Sequence, residues 1–224
     1  MAVIAPSASP APTAPALPFP RTPLPHPAPS PDGVARWYEN ELGWATVDGP
    51  PVQLLTGLRF DVLELPADAG LILLRRYART GPVALAGRRV RLLVAAGSAD
   101  ELPGLLDWLE WSGIDLELTA IGRGERISAP QGAADWLRPP EPGGEVEPSL
   151  PALAPVGRPT GSGGVPDLVR LVSTAATACH RARLLRTAAA AAIATAAVRT
   201  NGNRKKCDTR STRNQRENQP LAFS

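Results

Sequence analysis

Cysteine is almost missing from this chain of 224 residues. Cys179 and Cys207 are too few, and wrongly spaced, for a disulfide framework or a zinc site. Both are expected to be free thiols. No run of 18 or more apolar residues is present, so no segment is expected to span a bilayer. The N-terminus lacks the basic stretch and apolar run of a secretory signal, which sets the expectation of a soluble, cytoplasmic protein. Lysine occurs only at Lys205 and Lys206, and aromatic residues make up 4%. With abundant Ala, Pro and Gly, this reads as the codon bias of a GC-rich genome. Arginine number alone therefore says little about function.

What the chain does have is proline, 26 residues of it, eleven between Pro6 and Pro31. That stretch has almost no charge and few large apolar side chains, so it cannot build a core. Residues 1–32 are read as a disordered Pro/Ala-rich arm. The charge is also unevenly distributed. From Arg181 onward, ten Lys and Arg face Asp208 and Glu217, a balance of +8. The first 180 residues carry 14 basic and 19 acidic groups, a balance of −5. The sequence pI of 9.3 thus belongs to the C-terminal end. A domain that grips nucleic acid with its own surface is usually basic, and this one is not.

Between the arm and that end, periodicity predicts an α/β (α+β) domain over 33–139. Val34 to Leu42 has helical spacing and stops at Gly43. Short strands follow at Trp44–Val47 and Val52–Leu55, then a buried strand at Leu58–Leu65 ended by Pro66. Ala67–Arg79 reads as a helix and Arg89–Ala95 as a strand. Ser98-Ala-Asp-Glu101 is a capping-box pattern opening a helix that ends by Gly113. Ile114–Ile121 alternates, with Ile114, Leu116 and Leu118 inward, and Arg126–Ala129 is a last strand. Residues 140–164 read as a Pro/Gly-rich linker, 165–198 as an amphipathic then Ala-rich helix, and 199–224 as a disordered basic tail.

Four segments of this domain, in order, resemble the N-terminal domain of bifunctional DNA primase/polymerases, of the archaeo-eukaryotic primase superfamily. Ala35-Arg-Trp-Tyr-Glu-Asn-Glu-Leu-Gly-Trp-Ala-Thr-Val47 is similar to the family's first helix, Gly-Trp turn and first strand. Thr56-Gly-Leu-Arg-Phe-Asp-Val-Leu-Glu-Leu-Pro66 stands where the strand with the Asp-hydrophobic-Asp-Pro metal motif would be. Gly87-Arg-Arg-Val-Arg-Leu-Leu-Val94 takes the place of the Gly-Arg-His strand. Gly113-Ile-Asp-Leu116 and Arg126-Ile-Ser-Ala-Pro130 resemble the strand with the third acidic residue and the closing Ala-Pro edge. The resemblance covers about residues 34–139 and implies a small mixed-sheet primase-like domain.

The departures from the family fall on its chemistry. Two-metal nucleotidyl transfer needs converging carboxylates, which a strand supplies from positions i and i+2. Leu63 and Leu65 occupy those positions here. Asp61 and Glu64 remain, but three residues apart in a strand they face opposite ways. No histidine occurs between His26 and His180, and Val90 or Arg91 stands in the family histidine's place. The Val47–Thr56 interval is too short for the family's basic-Pro loop and nucleotide-binding helix. Asp115 alone matches a family carboxylate.

The residual acidic candidates are therefore Asp61, Glu64 and Asp115, with no catalytic residue assigned. Asp115 and Glu117 read as a residual metal site or a solvated strand face. Arg88, Arg89 and Arg91 read as a phosphate-holding group or a charged sheet edge. Trp108 and Trp111 could stack on bases or belong to the core. Cys179 and His180, adjacent on a helix, point apart and do not make a nucleophile-base pair. Arg204, Lys205, Lys206, Arg210, Arg213 and Arg216 are the nucleic-acid-binding candidates, or simply a solubilising tail. The expected function is a catalytically degenerate primase-like module that binds DNA or a replication-associated protein, with no cofactor and no membrane contact. An active polymerase with relocated ligands, using Mg²⁺ or Mn²⁺, and a protein-interaction module unrelated to nucleic acid are the alternatives.

Overall fold

The computed structural model describes residues 30–154 and 165–217, with side chains up to residue 195 apart from Ala133. Residues 1–29 of the expected arm, 155–164 of the expected linker and 218–224 lie outside the described residues. Helix α1 spans Pro31–Leu42 and opens on Ser30, whose Oγ accepts the Gly33 N–H at 3.2 Å. Pro31 stands in the first turn, where its missing N–H costs nothing. Cap and proline together start the helix ahead of Gly33, where the sequence pattern had placed the first ordered residue. Gly43 ends it at φ 65°, the left-handed conformation foreseen for it.

The strands are β1 (Thr46–Val47), β2 (Gln53–Leu55), β3 (Phe60–Pro66), β4 (Val83–Ala86), β5 (Arg89–Ala95), β6 (Thr119–Ile121), β7 (Arg126–Ser128) and β8 (Trp136–Arg138). Helices α2 (Ala67–Arg76), α3 (Ser98–Trp108) and α4 (Leu168–Glu217) complete the order. One sheet runs β1-β2-β7 and the other β6-β3-β5-β4-β8. Every pairing is antiparallel. The fold is therefore a mixed α+β domain, as expected. Within it, β3-α2-β4-β5-α3-β6 forms a βαββαβ unit whose strands lie in the order fourth, first, third, second, a split βαβ arrangement.

Strand alternation divides the core into two layers. Leu63, Leu65, Val90, Leu92 and Val94 face the helices, together with Leu73, Leu102, Leu168, Leu171, Val172 and Ala175. Phe60, Val62 and Leu93 face α1 and the small sheet, against Tyr38, Leu42, Trp44, Leu54 and Ile127. Helix α2 comes so close to β5 that a Cβ on Gly70 would meet Val90 Cβ at 2.6 Å.

Five expectations change. Strand β4 was not read from the sequence: Val83-Ala-Leu-Ala86 pairs with β5 across the tight Gly87-Arg88 turn. Strand β8 was missed as well. The strand expected over 114–121 shrinks to β6, because Glu117 sits at φ 54°, outside extended geometry, and Ile114 is exposed. Residues 140–154 pack on the domain: Val146 and Leu150 are buried, the Ala95 N–H donates to Pro151 O at 2.9 Å, and Arg59 pairs with Glu147. Finally, α4 runs without a break through 199–217, beyond the boundary expected at 198. Alanine favours the helix and no proline interrupts it.

Candidate functional site

Strand β3 lies between β5 and β6, and its pleat decides the fate of each acidic candidate. Leu63 and Leu65 point into the helix-side core at 1% and 0% exposure. Their register partners on β5 are Leu92 and Val90. The two positions where the resemblance expects carboxylates and one candidate for its histidine thus sit side by side on one sheet face. All are apolar and covered by helices, so these positions themselves offer no ligand for a cation.

Asp61 lies on the same face, one strand step away, and is 1% exposed. Its Oδ2 accepts the Ala99 N–H at 2.9 Å, at the first turn of α3. A carboxylate is stabilised there by the free N–H groups and positive end of the helix. Asp61 thus does the work assigned to the capping box. Ser98 makes no capping bond, and Gly97, at φ 90°, is the N-cap. Asp61 Oδ1 has no partner among the described residues.

Glu64 projects from the opposite face and lies between two guanidiniums. Arg89 Nε donates to Oε1 at 3.0 Å and Arg91 Nε to Oε2 at 2.7 Å. Arg89 Nη2 also reaches Glu64 O and Thr119 Oγ1. Burial pushes the Glu64 carboxyl up, but the hydrogen bonds and charges of Arg91 and Arg89 outweigh it and hold the group below its ordinary value. Arg88 is exposed in the turn, apart from the other two. Because β5 is an inner strand, with β3 on one side and β4 on the other, its arginines do not guard a sheet edge.

Asp115 and Glu117 lie in the loop before β6 rather than on a strand. Asp115 Oδ1 accepts the Glu117 N–H at 3.2 Å, closing a local turn. Both are engaged by α4: Arg183 donates to the Asp115 carbonyl and lies 3.8 Å from its carboxylate. Arg186 bridges Glu117 and Asp68, the latter at 2.8 and 3.0 Å. Asp61, Glu64 and Asp115 are therefore dispersed, each bound to a different partner. Among the described residues no three His, Cys, Asp or Glu side chains gather to hold a metal ion. Arg183 and Arg186 were missed as partners because their i, i+3 spacing shows a helix face, not what faces it.

Trp108 is 71% exposed on α3. Trp111 is half-buried, its ring 5.6 Å from that of His180 on α4. Cys179 is fully buried, and desolvation pushes its thiol up to about 12, so it is not a nucleophile at neutral pH. A shallow groove of about 340 Å³ at the start of α1 is lined by Pro31, Val34, Pro50, Pro51, Val52 and Gln131, without an acid, base or nucleophile. Arg204, Lys205, Lys206, Arg210, Arg213 and Arg216 lie on the α4 backbone, and their side chains, like that of Cys207, lie outside the described residues. Among the described residues no helix is long and apolar enough to cross a membrane. No protein-family model matches the chain, and no curated protein or solved structure does either.

Proposed function

We propose that the chain is a catalytically silent relative of the bifunctional DNA primase/polymerase N-terminal domains, acting in the cytoplasm as a binding or accessory module in DNA metabolism or its regulation. One observation carries the reading. Leu63 and Leu65, the positions corresponding to the family carboxylates, and Val90, one of the two candidates with Arg91 for its histidine position, are neighbours on one face of adjacent strands and wholly apolar. Neighbouring positions are what a shared site requires, and apolar side chains are what removes its chemistry. A cation there would lose its hydration shell and gain no oxygen ligand from these three side chains. The three surviving acidic candidates are occupied by a helix cap or by arginines. This reading assigns the chain no metal cofactor.

The binding side of the reading rests on the charge split, which gives the C-terminal end the attraction for phosphate that the acidic domain lacks. Arg204, Lys205, Lys206, Arg210, Arg213 and Arg216 are its proposed contacts, with DNA or a replication-associated protein as partner. The test is a primer assay on purified protein with single-stranded template, all nucleotides and either Mg²⁺ or Mn²⁺. No template-dependent product is expected. Product that vanishes in an Asp115→Ala variant would establish the opposite, an active polymerase with relocated ligands.

A further inference from the structure

The shallow groove at the start of α1 is bordered mainly by proline. Val34 and Val52 form its floor and are buried, whereas Pro31, Pro50, Pro51 and Gln131 stand exposed around it. Proline has no N–H, so three of the four rim residues present apolar rings and no backbone donor. Gln131 is the one polar side chain of the lining, and no charged residue contributes to it. The Gln131 backbone N–H donates to Asp135 Oδ2 at 2.9 Å, while its side-chain amide makes no hydrogen bond among the described residues. The volume of about 340 Å³ lies at the small end of ligand pockets, with room for a short stretch of chain and not for a folded partner.

The sequence that leads up to this rim has matching chemistry. Ahead of Pro31 the only Asp, Glu, Lys or Arg is Arg21, and proline recurs throughout. At Ser30 the backbone is extended, with φ −63° and ψ 146°, close to polyproline II. Leu17-Pro-Phe-Pro20 is the bulkiest apolar stretch there, and Phe19 is the one aromatic residue ahead of Trp37. The residues from Arg21 to Ser30 join it to the groove. Fully extended at 3.1 Å per residue they reach about 31 Å, enough to fold back onto a groove at their own end.

We propose that the Leu17-Pro-Phe-Pro20 segment docks in this groove of its own chain, with the Phe19 ring over Val34 and Val52 and the Gln131 amide donating to a carbonyl of the segment. The proposal is independent of the accessory-module reading above and adds an interaction which that reading does not contain. Three features select this occupant. A segment with proline at alternate positions carries half the N–H groups of an ordinary peptide, so little backbone is stranded against proline rings. Neither the groove nor the segment is charged, so docking desolvates no ion. The tether holds the segment at an effective concentration of about millimolar, so a groove this small and shallow is filled first by its own chain. A free partner has no such advantage.

The test uses the full chain, with its valine methyl groups labelled for NMR, and a Leu17→Ser/Phe19→Ser variant whose changes lie ahead of α1 and of both core layers. Docking sets the Phe19 ring against the groove floor. The Val34 and Val52 methyl signals are therefore expected to shift in the variant, while those of Val83 and Val94, in the helix-side layer, stay in place. A free peptide of residues 12–24 adds a second readout. If the tethered segment fills the groove about nine-tenths of the time, the peptide should bind the variant about tenfold more tightly than the unaltered chain. Unmoved Val34 and Val52 signals, or a peptide that binds the two proteins equally or not at all, would overturn the proposal. Shifts that fade on dilution would overturn it as well, because the occupant would then be the segment of a second copy. A peptide that binds the variant but moves the signals of other valines would place the contact elsewhere and have the same effect.

Discussion

Glu64, a residual acidic candidate in the sequence, has a structural role in the fold. Its carboxyl is held below the ordinary value of 4.5 by Arg91 and Arg89, against the opposing effect of burial. A depressed carboxylate stabilises the fold above its unfolded pKa, and that contribution is lost as pH falls through the folded value. Glu64→Ala is therefore expected to cost about 1–3 kcal/mol at neutral pH, since it leaves two half-buried guanidiniums unpaired. The difference between the two proteins should shrink as acid unfolding is followed from pH 5 down past the lowered pKa. A gap that stays constant would show that the charge pairing contributes nothing. Cys179 offers a simpler check. In a Cys207→Ser background its thiol, pushed up to about 12 by burial, should resist an aromatic disulfide reagent until denaturant unfolds the domain. That Asp61 and Glu64 face opposite ways was legible in the period-two pattern of the strand. Their partners were not, because Ala99 and the β5 arginines are neighbours through pairing and packing rather than sequence.

Among the elements, those with local punctuation were the readable ones. Gly43 ended α1, Pro66 ended β3, and Gly81-Pro82 separated α2 from β4. Strands β4 and β8 are short and gain their definition from neighbours, so periodicity had too little to work on. The loop at 114–118 shows the converse: its alternation is real, and Leu116 and Leu118 are buried, yet Glu117 at φ 54° breaks the extension that alternation implied. Helix α4 was legible as amphipathic but not as part of the core. Its apolar stripe completes the layer over Leu65 and Leu92. Deleting residues 165–224 is therefore expected to unfold the domain, because Leu168, Leu171 and Val172 are each 0% exposed. Deleting only 188–224 should leave its melting temperature within a degree or two, since every residue from Ala188 to Thr195 is exposed. Thermal melts of the two truncations by circular dichroism decide it. Equal stability would mean that α4 is an appendage.

For the molecule as a whole, β3 is the shared wall of both core layers, with alternate residues in each. The two layers are accordingly expected to unfold together. In a Trp108→Phe/Trp111→Phe background, Trp44, buried with Tyr38 and Phe60 in the small-sheet layer, reports on one layer by fluorescence, while circular dichroism near 222 nm reports mainly on the helices of the other. Their denaturant midpoints should coincide, and should fall together in Leu65→Ala, whose unfolding free energy should drop by about 2–5 kcal/mol. Separate midpoints would show two independent units. From the sequence the candidate site was read chiefly from Leu63, Leu65 and Val90 or Arg91, which stand where the resemblance expects carboxylates and a histidine. The three-dimensional dispersal of the acids became visible only with the fold.

The unbroken α4 also gives the molecule a mechanical character. One half is clamped between α2, α3 and the sheet, while beyond Arg186 the helix runs on for about 46 Å, a lever with its fulcrum at the Asp68 and Glu117 contacts. A tilt of about 10° at that fulcrum would carry the far end through about 8 Å by the same helix dimensions. Force applied at the tip would reach first the clamp that holds Asp68 at the head of α2, and through α2 the closely packed Gly70 and Val90.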